Sequence, residues 1–281
     1  MSKISVIGVC GNSIFMYADH FHENGETLVA DSVFEEIGGK GINQAVAAKR
    51  MGAEVSFLCA IGDDVNGEKS IVAAKENGID AHFKIKKGKL TPFAFILTDK
   101  NGENRVTEYK SAELDVIDVI SFEEKIANSD ILLLQQEVPP AVNEKAVELA
   151  EKHCVRVILN PAPIREISDE MAKRVFVVTP NEQEMQAIDI KRFKNCITTL
   201  GKNGCLVNGT ENISGITAQV ADTTGAGDTF NGTLAVCIAE GMCLADAAKY
   251  AVIASGISVE RKYVLNAIPE RKEIEKRMIY G

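Results

Sequence analysis

Short, almost continuously apolar segments recur along this chain and alternate with segments whose apolar residues lie three or four positions apart. Runs of the first kind are typical of strands buried on both faces, and the second spacing is typical of helices with one apolar face. Their alternation predicts an α/β fold in which helices cover both faces of a parallel sheet. The predicted strands span residues 3–9, 55–61, 130–134, 156–159, 175–179 and 196–200, and the predicted helices span 43–51, 67–77, 122–128, 142–153, 229–240 and 245–259.

Two segments interrupt this alternation. Residues 25–37 and 92–110 have strand-like patterns, and the Asn101-Gly102 pair between two such runs is typical of a hairpin turn. We therefore expect a few antiparallel strands that stand off the main sheet, inserted at about 12–38 and 84–110. No internal repeat, low-complexity segment or long linker is visible, so we expect a single domain over residues 1–281.

Composition and charge exclude several classes of function. With 281 residues, of which 46% are hydrophobic, the chain can bury a full core. A formal net charge of −9 opposes attraction to phosphate polymers and anionic lipid, so we expect neither nucleic acid nor a membrane as a partner. No stretch approaches the ~18 apolar residues of a membrane span, and residues 1–9 lack the apolar run of a signal peptide.

The seven cysteines are scattered, odd in number and mostly inside apolar runs. This usage is typical of buried thiols in a reducing cytosol, so we expect a cytoplasmic protein. Cys237 and Cys243 are too far apart for a CxxC metal or redox pair.

The strongest chemical signal lies in residues 222–231, where Gly225-Ala226-Gly227 precedes an apolar helical segment. Such a turn is typical of a phosphate site, because unpaired N–H groups and the helix dipole both point at the ligand. Asp228 would lie in the first helical turn, where it can either cap the helix or act as a base in phosphoryl transfer. Asp222 and Thr229 crowd the same turn, which favours the second interpretation.

A second glycine-rich turn, Gly38-Gly39-Lys40-Gly41, leads into the first predicted helix. It is not a P-loop, because the Gly-x4-Gly-Lys-Ser/Thr spacing is absent, and Gly8-Val9-Cys10-Gly11 does not match a dinucleotide fingerprint. From the residues alone, the turn is either part of a site or a tight loop with a solvated Lys40. Asn43 can likewise be a simple helix cap.

A third cluster, Thr179-Pro180-Asn181-Glu182-Gln183-Glu184, follows a predicted buried strand and begins a helix. Carboxylate and amide oxygens at the carboxyl edge of a parallel sheet are well placed to hold hydrated Mg²⁺. Acidity at the start of a helix is the alternative explanation, and this cluster alone does not decide between them.

Together and in this order, these segments resemble the ribokinase family, also called the PfkB family of carbohydrate kinases. The resemblance runs from Ile4 to about Pro269 and depends mainly on the motifs at 38–45 and 222–230, with Asn181 and Glu184 between them. It implies a ribokinase-like three-layer α/β/α sandwich with a mostly parallel central sheet and a small β-strand lid. It also implies transfer of the γ-phosphate of ATP to a primary hydroxyl of a sugar or sugar-like molecule.

The resemblance implies roles for residues at matching positions. Asp228 matches the catalytic base, and the backbone of Gly225, Ala226 and Gly227 matches an anion hole. Glu184 and Asn181 match the pair that positions Mg²⁺ and phosphates through water. The implied ATP-binding residues are Asn181, Thr199, Gly201, Lys202, Gly204 and Gly227. The implied substrate-binding residues are Gly11, Asn12, Ser13, Gly39, Lys40, Asn43, Glu137 and Asp228.

Two regions depart from the family pattern. Sugar-binding members usually show Asn-x-Asp after the first strand, whose Asp grips two hydroxyls, whereas this chain has Gly11-Asn12-Ser13. Ser13 cannot make that charge-assisted contact, so we expect weak use of ribose. Ala267 stands where a serine would complete a monovalent-cation site. The remaining candidate ligands for a cation such as K⁺ are Asp222, Thr224, Ser258, Arg261 and Tyr263.

Three functions remain open at this point. The first is a sugar kinase, and the second is a nucleoside kinase of the same fold, in which Phe15, Phe93 or Phe95 would stack on a base. The third is a non-catalytic ligand sensor, against which the intact base and glycine turn argue. The lid also forms the dimer interface in ribokinase, so a homodimer through the lid is a further hypothesis.

Overall fold

Thirteen strands and ten α-helices form the part of the chain that this computed structural model describes, residues 1–280. The strands are β1 (Lys3–Ile7), β2 (Gly11–Tyr17), β3 (Ser32–Gly38), β4 (Glu54–Gly62), β5 (Asp80–Lys86), β6 (Phe93–Thr98), β7 (Asn104–Tyr109), β8 (Ile131–Gln135), β9 (Arg156–Asn160), β10 (Val177–Val178), β11 (Ile197–Thr199), β12 (Cys205–Val207) and β13 (Glu211–Ile213). The helices are α1 (Lys40–Arg50), α2 (Val65–Glu76), α3 (Val116–Ile120), α4 (Glu123–Ala127), α5 (Pro140–Lys152), α6 (Asp169–Arg174), α7 (Glu182–Ala187), α8 (Ala226–Ala239), α9 (Leu244–Ser258) and α10 (Arg271–Tyr280).

The central sheet has six strands in the order β10-β9-β8-β1-β4-β5, and every pair in it is parallel. Its middle strands are apolar on both faces because helices cover both. Side chains of α1, α8 and α9 form one core with one face, and side chains of α3 to α6 form another core with the opposite face. The expected three-layer α/β/α arrangement is therefore confirmed.

A second sheet of four strands, in the order β3-β2-β6-β7, stands apart from the central sheet and is called the lid here. Strand β2 is antiparallel to β3 and parallel to β6, and β6 and β7 form the hairpin expected around Asn101-Gly102. The register aligns Glu36, Ser13, Ala94 and Glu108 across the four strands. These four residues are called the lid row, and because they are direct lateral neighbours their side chains project from the same face.

The lid is attached to the body of the protein through the inner face of its strands. Phe15 and Ile96 pack against Val264, and the ring of Phe34 stacks on that of Tyr263 with centroids 3.4 Å apart. The carboxylate of Glu36 accepts hydrogen bonds from the backbone N–H groups of Val264 and Leu265. Burial raises the pKa of Glu36, and these two N–H groups offset part of that rise.

Some details differ from the expectations. The strand predicted at 196–200 is β11, which belongs to a small antiparallel sheet with β12 and β13 and meets the central sheet only at isolated bridges. Strand β5 was not predicted, because an edge strand with polar alternation lacks a long apolar run. Helix α1 begins at Lys40 rather than at residue 43, with Gly39 as its N-cap, so Asn43 is not a cap.

No helix among residues 1–280 is both long enough and apolar enough to cross a bilayer.

Candidate active site

Helices α1 and α8 meet above the carboxyl edge of the central sheet, where parallel α/β folds usually bind ligands. Their contact is close because Gly232 faces α1. A Cβ atom at Gly232 would lie 2.5 Å from both the Gln44 carbonyl oxygen and the Ala47 Cβ. This packing brings the amides of Asn43 and Gln44 on α1 to the carboxylate of Asp228 on α8.

Asp228 is buried, and each of its carboxylate oxygens accepts a hydrogen bond from α1. Asn43 Nδ2 donates to Oδ2 over 2.8 Å, and Gln44 Nε2 donates to Oδ1 over 3.0 Å. The N-cap of α8 is Gly225, so Asp228 does not cap the helix. The Oδ1 atom of Asn43 is buried and has no hydrogen-bond partner among the described residues.

The start of α8 has the geometry of an anion site. Gly225 is left-handed with φ of 76°, which allows the chain to enter the helix at this angle. The first N–H groups of a helix have no partner within it. That of Ala226 donates to the Thr223 carbonyl over 3.3 Å, which leaves for an anion those of Gly227 and Asp228, two residues that line the adjoining cavity. No atom lies within 4 Å of where a Gly227 Cβ would stand, which leaves room for a phosphate.

Asn181 and Glu184 form a capping box at the start of α7. Asn181 donates its backbone N–H and its side-chain Nδ2 to the two carboxylate oxygens of Glu184, over 2.9 and 3.0 Å. Burial raises the pKa of Glu184, while the N–H of Asn181 and the charge of Lys40 lower it in part. Each Glu184 oxygen keeps a further lone pair, so the pair fits a hydrated cation at the edge of the cavity that contains Asp228.

A cavity of about 630 Å³ opens beside the start of α8 and suits a nucleotide in size and lining. Its apolar wall includes Ile216, Val220, Phe230 and Val252. Five of the six residues expected at the nucleotide site line it, namely Thr199, Gly201, Lys202, Gly204 and Gly227. It shares Thr199, Gly201 and Gly227 with the neighbouring cavity of about 480 Å³ that contains Asp228, Asn181 and Glu184.

The expected acceptor site lies under the lid, in a small cavity of about 40 Å³. Of the eight expected acceptor residues, Gly11, Asn12, Ser13, Gly39 and Glu137 line it, whereas Lys40 and Asp228 line the cavity of about 480 Å³ and Asn43 lines neither. The backbone N–H of Lys40 connects the two cavities by donating to Glu137 Oε2 over 2.9 Å. Burial raises the pKa of Glu137 to about 7, although the positive charge of Lys40 opposes the rise.

Lys40 lies among the acidic residues of the site. Burial lowers its pKa, but the charges of Asp228, Glu137, Glu108 and Glu184 raise it by more, so that the net shift is upward. Its ammonium group therefore stays charged beside the acceptor and phosphate cavities, where positive charge favours a transferring phosphoryl group.

Asn12 lines the acceptor cavity, as expected, but its side chain turns away from the lid row. Its Nδ2 atom donates to Glu35 Oε1 over 2.5 Å, on the face of the lid opposite Ser13, because successive residues of a strand point to opposite faces. Of the three residues at 11–13, Ser13 is the one whose side chain projects with the lid row.

The residues expected to bind a monovalent cation lie in one neighbourhood. Both oxygens of Asp222 accept backbone hydrogen bonds, from Thr224 over 2.9 Å and from Tyr263 over 3.2 Å. The carbonyl of Ser258 accepts the N–H of Arg261. The guanidinium of Arg261 is paired with Glu273.

Two parts of the site were not predicted. Gln44 and the hydrogen bond that it accepts from Gln135 over 2.7 Å support Asp228 from behind, and both glutamines are fully buried. Glu108 in β7 and Lys110 directly after β7 border the acceptor cavity. The polar pair Asn43-Gln44 lies between Ile42 and the apolar run 45–48, which was a signal for the first part, whereas no pattern in the sequence pointed to the second.

The family model described as pfkB family carbohydrate kinase matches residues 1–271. The chain belongs to the pfkB family. It is 33% identical over 294 residues to the ribokinase of Haemophilus influenzae, with 96% of each chain covered.

Solved structures agree with this membership in the pfkB family. The crystal structure of ribokinase from Thermotoga maritima is 31% identical, with a TM-score of 0.89 and coverage of 99% of this chain and 100% of that one. Arabidopsis thaliana ribokinase complexed with ribose and ATP is 25% identical, with a TM-score of 0.86 and all of both chains covered. The expected ribokinase-like fold is confirmed, and so is the enzyme class of a carbohydrate kinase, a phosphotransferase with an alcohol group as acceptor.

Proposed function

We propose that this protein transfers the γ-phosphate of ATP to a primary hydroxyl of a sugar or sugar-like alcohol, with Asp228 as the base. The observation that carries the proposal is the position of Asp228. Its buried carboxylate is held by two amides and borders the cavity of about 480 Å³ that Lys40, Glu184 and the start of α8 also line. The Arabidopsis relative was solved with ribose and ATP, which supports the same pair of substrate classes here.

In this mechanism the acceptor hydroxyl donates a hydrogen bond to Asp228 and loses its proton to that carboxylate as its oxygen attacks the γ-phosphorus. The bond between the γ-phosphorus and the β–γ bridging oxygen breaks, and ADP leaves. The N–H groups of Gly227 and Asp228 stabilise negative charge on the phosphoryl group, and Lys40 adds a positive charge nearby. The Glu137 carboxylate, which lines the acceptor cavity, orients the acceptor.

We also propose that Mg²⁺ enters with ATP and is held through water by Glu184 and Asn181. Among residues 1–280 no cluster of three or more His, Cys, Asp or Glu side chains can hold a metal, so phosphate oxygens would complete its shell. When bound, Mg²⁺ would neutralise charge on the β- and γ-phosphates. A monovalent cation such as K⁺ is a second proposal, tested by turnover in K⁺ against turnover in a bulky organic cation.

The nucleoside alternative has little support from the aromatic residues. Phe15 is packed inside the lid against Ile96 and Val264, and Phe95 lies on the opposite face. Of the three phenylalanines only Phe93 borders the acceptor cavity, together with Tyr109, and the Phe93 ring packs against Phe95 and Tyr109 on the face opposite the lid row. A sugar is therefore the acceptor class that the lining favours.

Exposed apolar side chains on the outer face of the lid support a homodimer. We propose separately that the enzyme acts in the cytoplasm. Val33, Phe95 and Tyr109 are 67, 44 and 48% exposed on that face, and a second lid could cover them. Sedimentation of the wild-type protein and of Phe95→Glu tests this, since the charged variant would stay monomeric. The absence of any dimer in the wild type would contradict it.

ADP release over a panel of pentoses, hexoses, polyols and nucleosides tests the proposed function. We expect ATP-dependent turnover with one or more sugars, and weak turnover with D-ribose. Turnover with nucleosides alone would show that the acceptor is a nucleoside rather than a sugar. Ligand binding without any turnover would favour the non-catalytic ligand sensor.

A further inference from the structure

The acceptor cavity lacks a carboxylate at Ser13, but another carboxylate projects from the same row of the lid. Ser13 pairs with Ala94, and Ala94 pairs with Glu108, so the three side chains lie side by side on one face. Both Ser13 and Glu108 border the cavity. Ala94 between them is small, which leaves the space over the row open to a ligand.

Lys110 fixes Glu108 above the body of the site. Its Nζ atom lies 3.1 Å from Glu108 Oε2 and donates to the backbone carbonyl of Glu137 over 3.1 Å. Lys110 thus connects the lid row with the acceptor-binding Glu137. The side chain of Glu108 remains 41% exposed, so its carboxylate can accept hydrogen bonds from a ligand.

The charge of Glu108 also acts inside the site. It is among the carboxylates that raise the pKa of Lys40 against the lowering effect of burial. It adds to the rise that burial causes in the pKa of Glu137. Both effects place Glu108 within electrostatic reach of two residues that border the acceptor.

We propose that Glu108 supplies the charged grip on the acceptor hydroxyls that Ser13 cannot supply. This inference rests on the proposed sugar-kinase function and names the part of the acceptor that is recognised. Neighbouring strands are about 4.8 Å apart, so the carboxylate on β7 lies two strands, or roughly 10 Å at the backbone, from the position of Ser13 on β2. The acceptor class is therefore a sugar or polyol with two adjacent hydroxyls directed toward β7.

Steady-state kinetics with D-ribose as the probe tests this. Glu108→Gln keeps the shape of the side chain and removes its charge, and we expect the KM for D-ribose to rise about tenfold or more, because hydrogen bonds to charged groups are the stronger ones. The KM for ATP should stay within about twofold of the wild-type value. Glu103→Gln is the matched control, since Glu103 lies in the same hairpin but outside the lining of the cavity.

Moving the carboxylate to another position in the lid row is a stricter test than removing it. In the Glu108→Gln background, Ser13→Asp returns a carboxylate to the same row, and we expect the KM for D-ribose to recover to within about threefold of wild type. If Glu108 merely paired with Lys110, Ser13→Asp would restore nothing.

An unchanged KM for D-ribose in Glu108→Gln, or a rise that Ser13→Asp leaves in place, overturns the assignment of Glu108. Failure of the underlying function gives a different result, in which the wild-type enzyme releases no ADP with any sugar of the panel.

Discussion

Gln44 donates a hydrogen bond to Asp228 Oδ1 over 3.0 Å, and both residues are buried. Gln44 in turn accepts from Gln135, whose backbone carbonyl accepts the side-chain amide of Asn143. This chain of amides gives the Gln44 side chain one orientation, with its NH₂ group toward the carboxylate. Gln44 is therefore a positioning residue, which acts on the acceptor only through Asp228.

Gln44→Met should lower kcat about tenfold or more, because it removes one of the two hydrogen bonds that aim the carboxylate. The KM values for sugar and ATP should change little, since Gln44 lies behind Asp228. Steady-state kinetics separates the two effects. Gln186→Met, at an exposed position, is the control, and an unaltered kcat in Gln44→Met would contradict the role.

Asp228→Asn should lower kcat by roughly 10²- to 10⁴-fold, the usual contribution of a general base. Sugar binding measured by calorimetry should be largely retained, because an amide keeps the shape and one acceptor oxygen. Asp246→Asn is a matched control, since Asp246 is an exposed acid in the first turn of α9. If Asp228→Asn and Asp246→Asn lowered the melting temperature and the turnover equally, Asp228 would be a helix-stabilising residue and not the base.

The two glycines at the start of α8 should respond differently to alanine. A methyl group at Gly227 meets no atom within 4 Å, so Gly227→Ala should fold normally and gain up to about 1 kcal/mol of helix propensity. That methyl group would occupy the space for phosphate, so kcat/KM for ATP should fall. Gly225→Ala should instead lower the melting temperature, because its φ is 76° and its Cβ would collide with Val264.

Calorimetric melting together with ATP kinetics distinguishes these two outcomes. Wild-type ATP kinetics in Gly227→Ala would mean that the phosphate does not approach this turn.

The pKa of Glu137 makes acceptor binding depend on pH. Burial raises this pKa from 4.5 to about 7, so the carboxylate ionises as the pH rises through about 7. An ionised carboxylate is the better acceptor for sugar hydroxyls, so the KM for the sugar should fall over that interval. Glu137→Gln should remove this pH dependence, and an identical profile in the variant would assign the titration to another group.

Folding stability should fall as the pH rises through about 7, whereas binding of the sugar improves over the same interval. Because the folded state holds the Glu137 proton more tightly than the unfolded chain, its contribution is complete below about pH 4.5 and is lost as the pH rises through about 7. Melting temperatures from about pH 5 to about pH 9 should therefore decline more in the wild type than in Glu137→Gln. A steeper decline in the variant would contradict this sign.

Much of the fold could be predicted from the sequence because the buried strands consist almost entirely of apolar residues. Strands β1, β4, β8 and β9 are apolar on both faces, and only helices on both sides of a sheet can bury such runs. Strand β11 was placed in the wrong sheet, because an apolar run of a few residues does not reveal its neighbours. The start of α1 was placed late since Gly39 and Gly41 conceal the first turn.

The candidate site was predictable only where a motif contains it. The residues around Asp228 and Lys40 are contiguous in sequence, so spacing identifies them. Gln44 and Glu108 act through contacts with residues roughly 90 or more positions away or through strand register, and neither relation has a local pattern. The orientation of Asn12 depends in the same way on which face of β2 it occupies.

The close packing of Gly232 against α1 has a consequence for how such an enzyme can diversify. The base and the amides that hold it come from two helices locked together in the body, so a mutation there perturbs catalysis for every acceptor. The lid row is separate from that contact, and three of its side chains, those of Ser13, Ala94 and Glu108, can be exchanged one at a time because they do not anchor the lid as Glu36 does. New acceptors can therefore be acquired through single changes in the lid row, and a small combinatorial library at 13, 94 and 108 is the economical place to redirect this protein to another sugar.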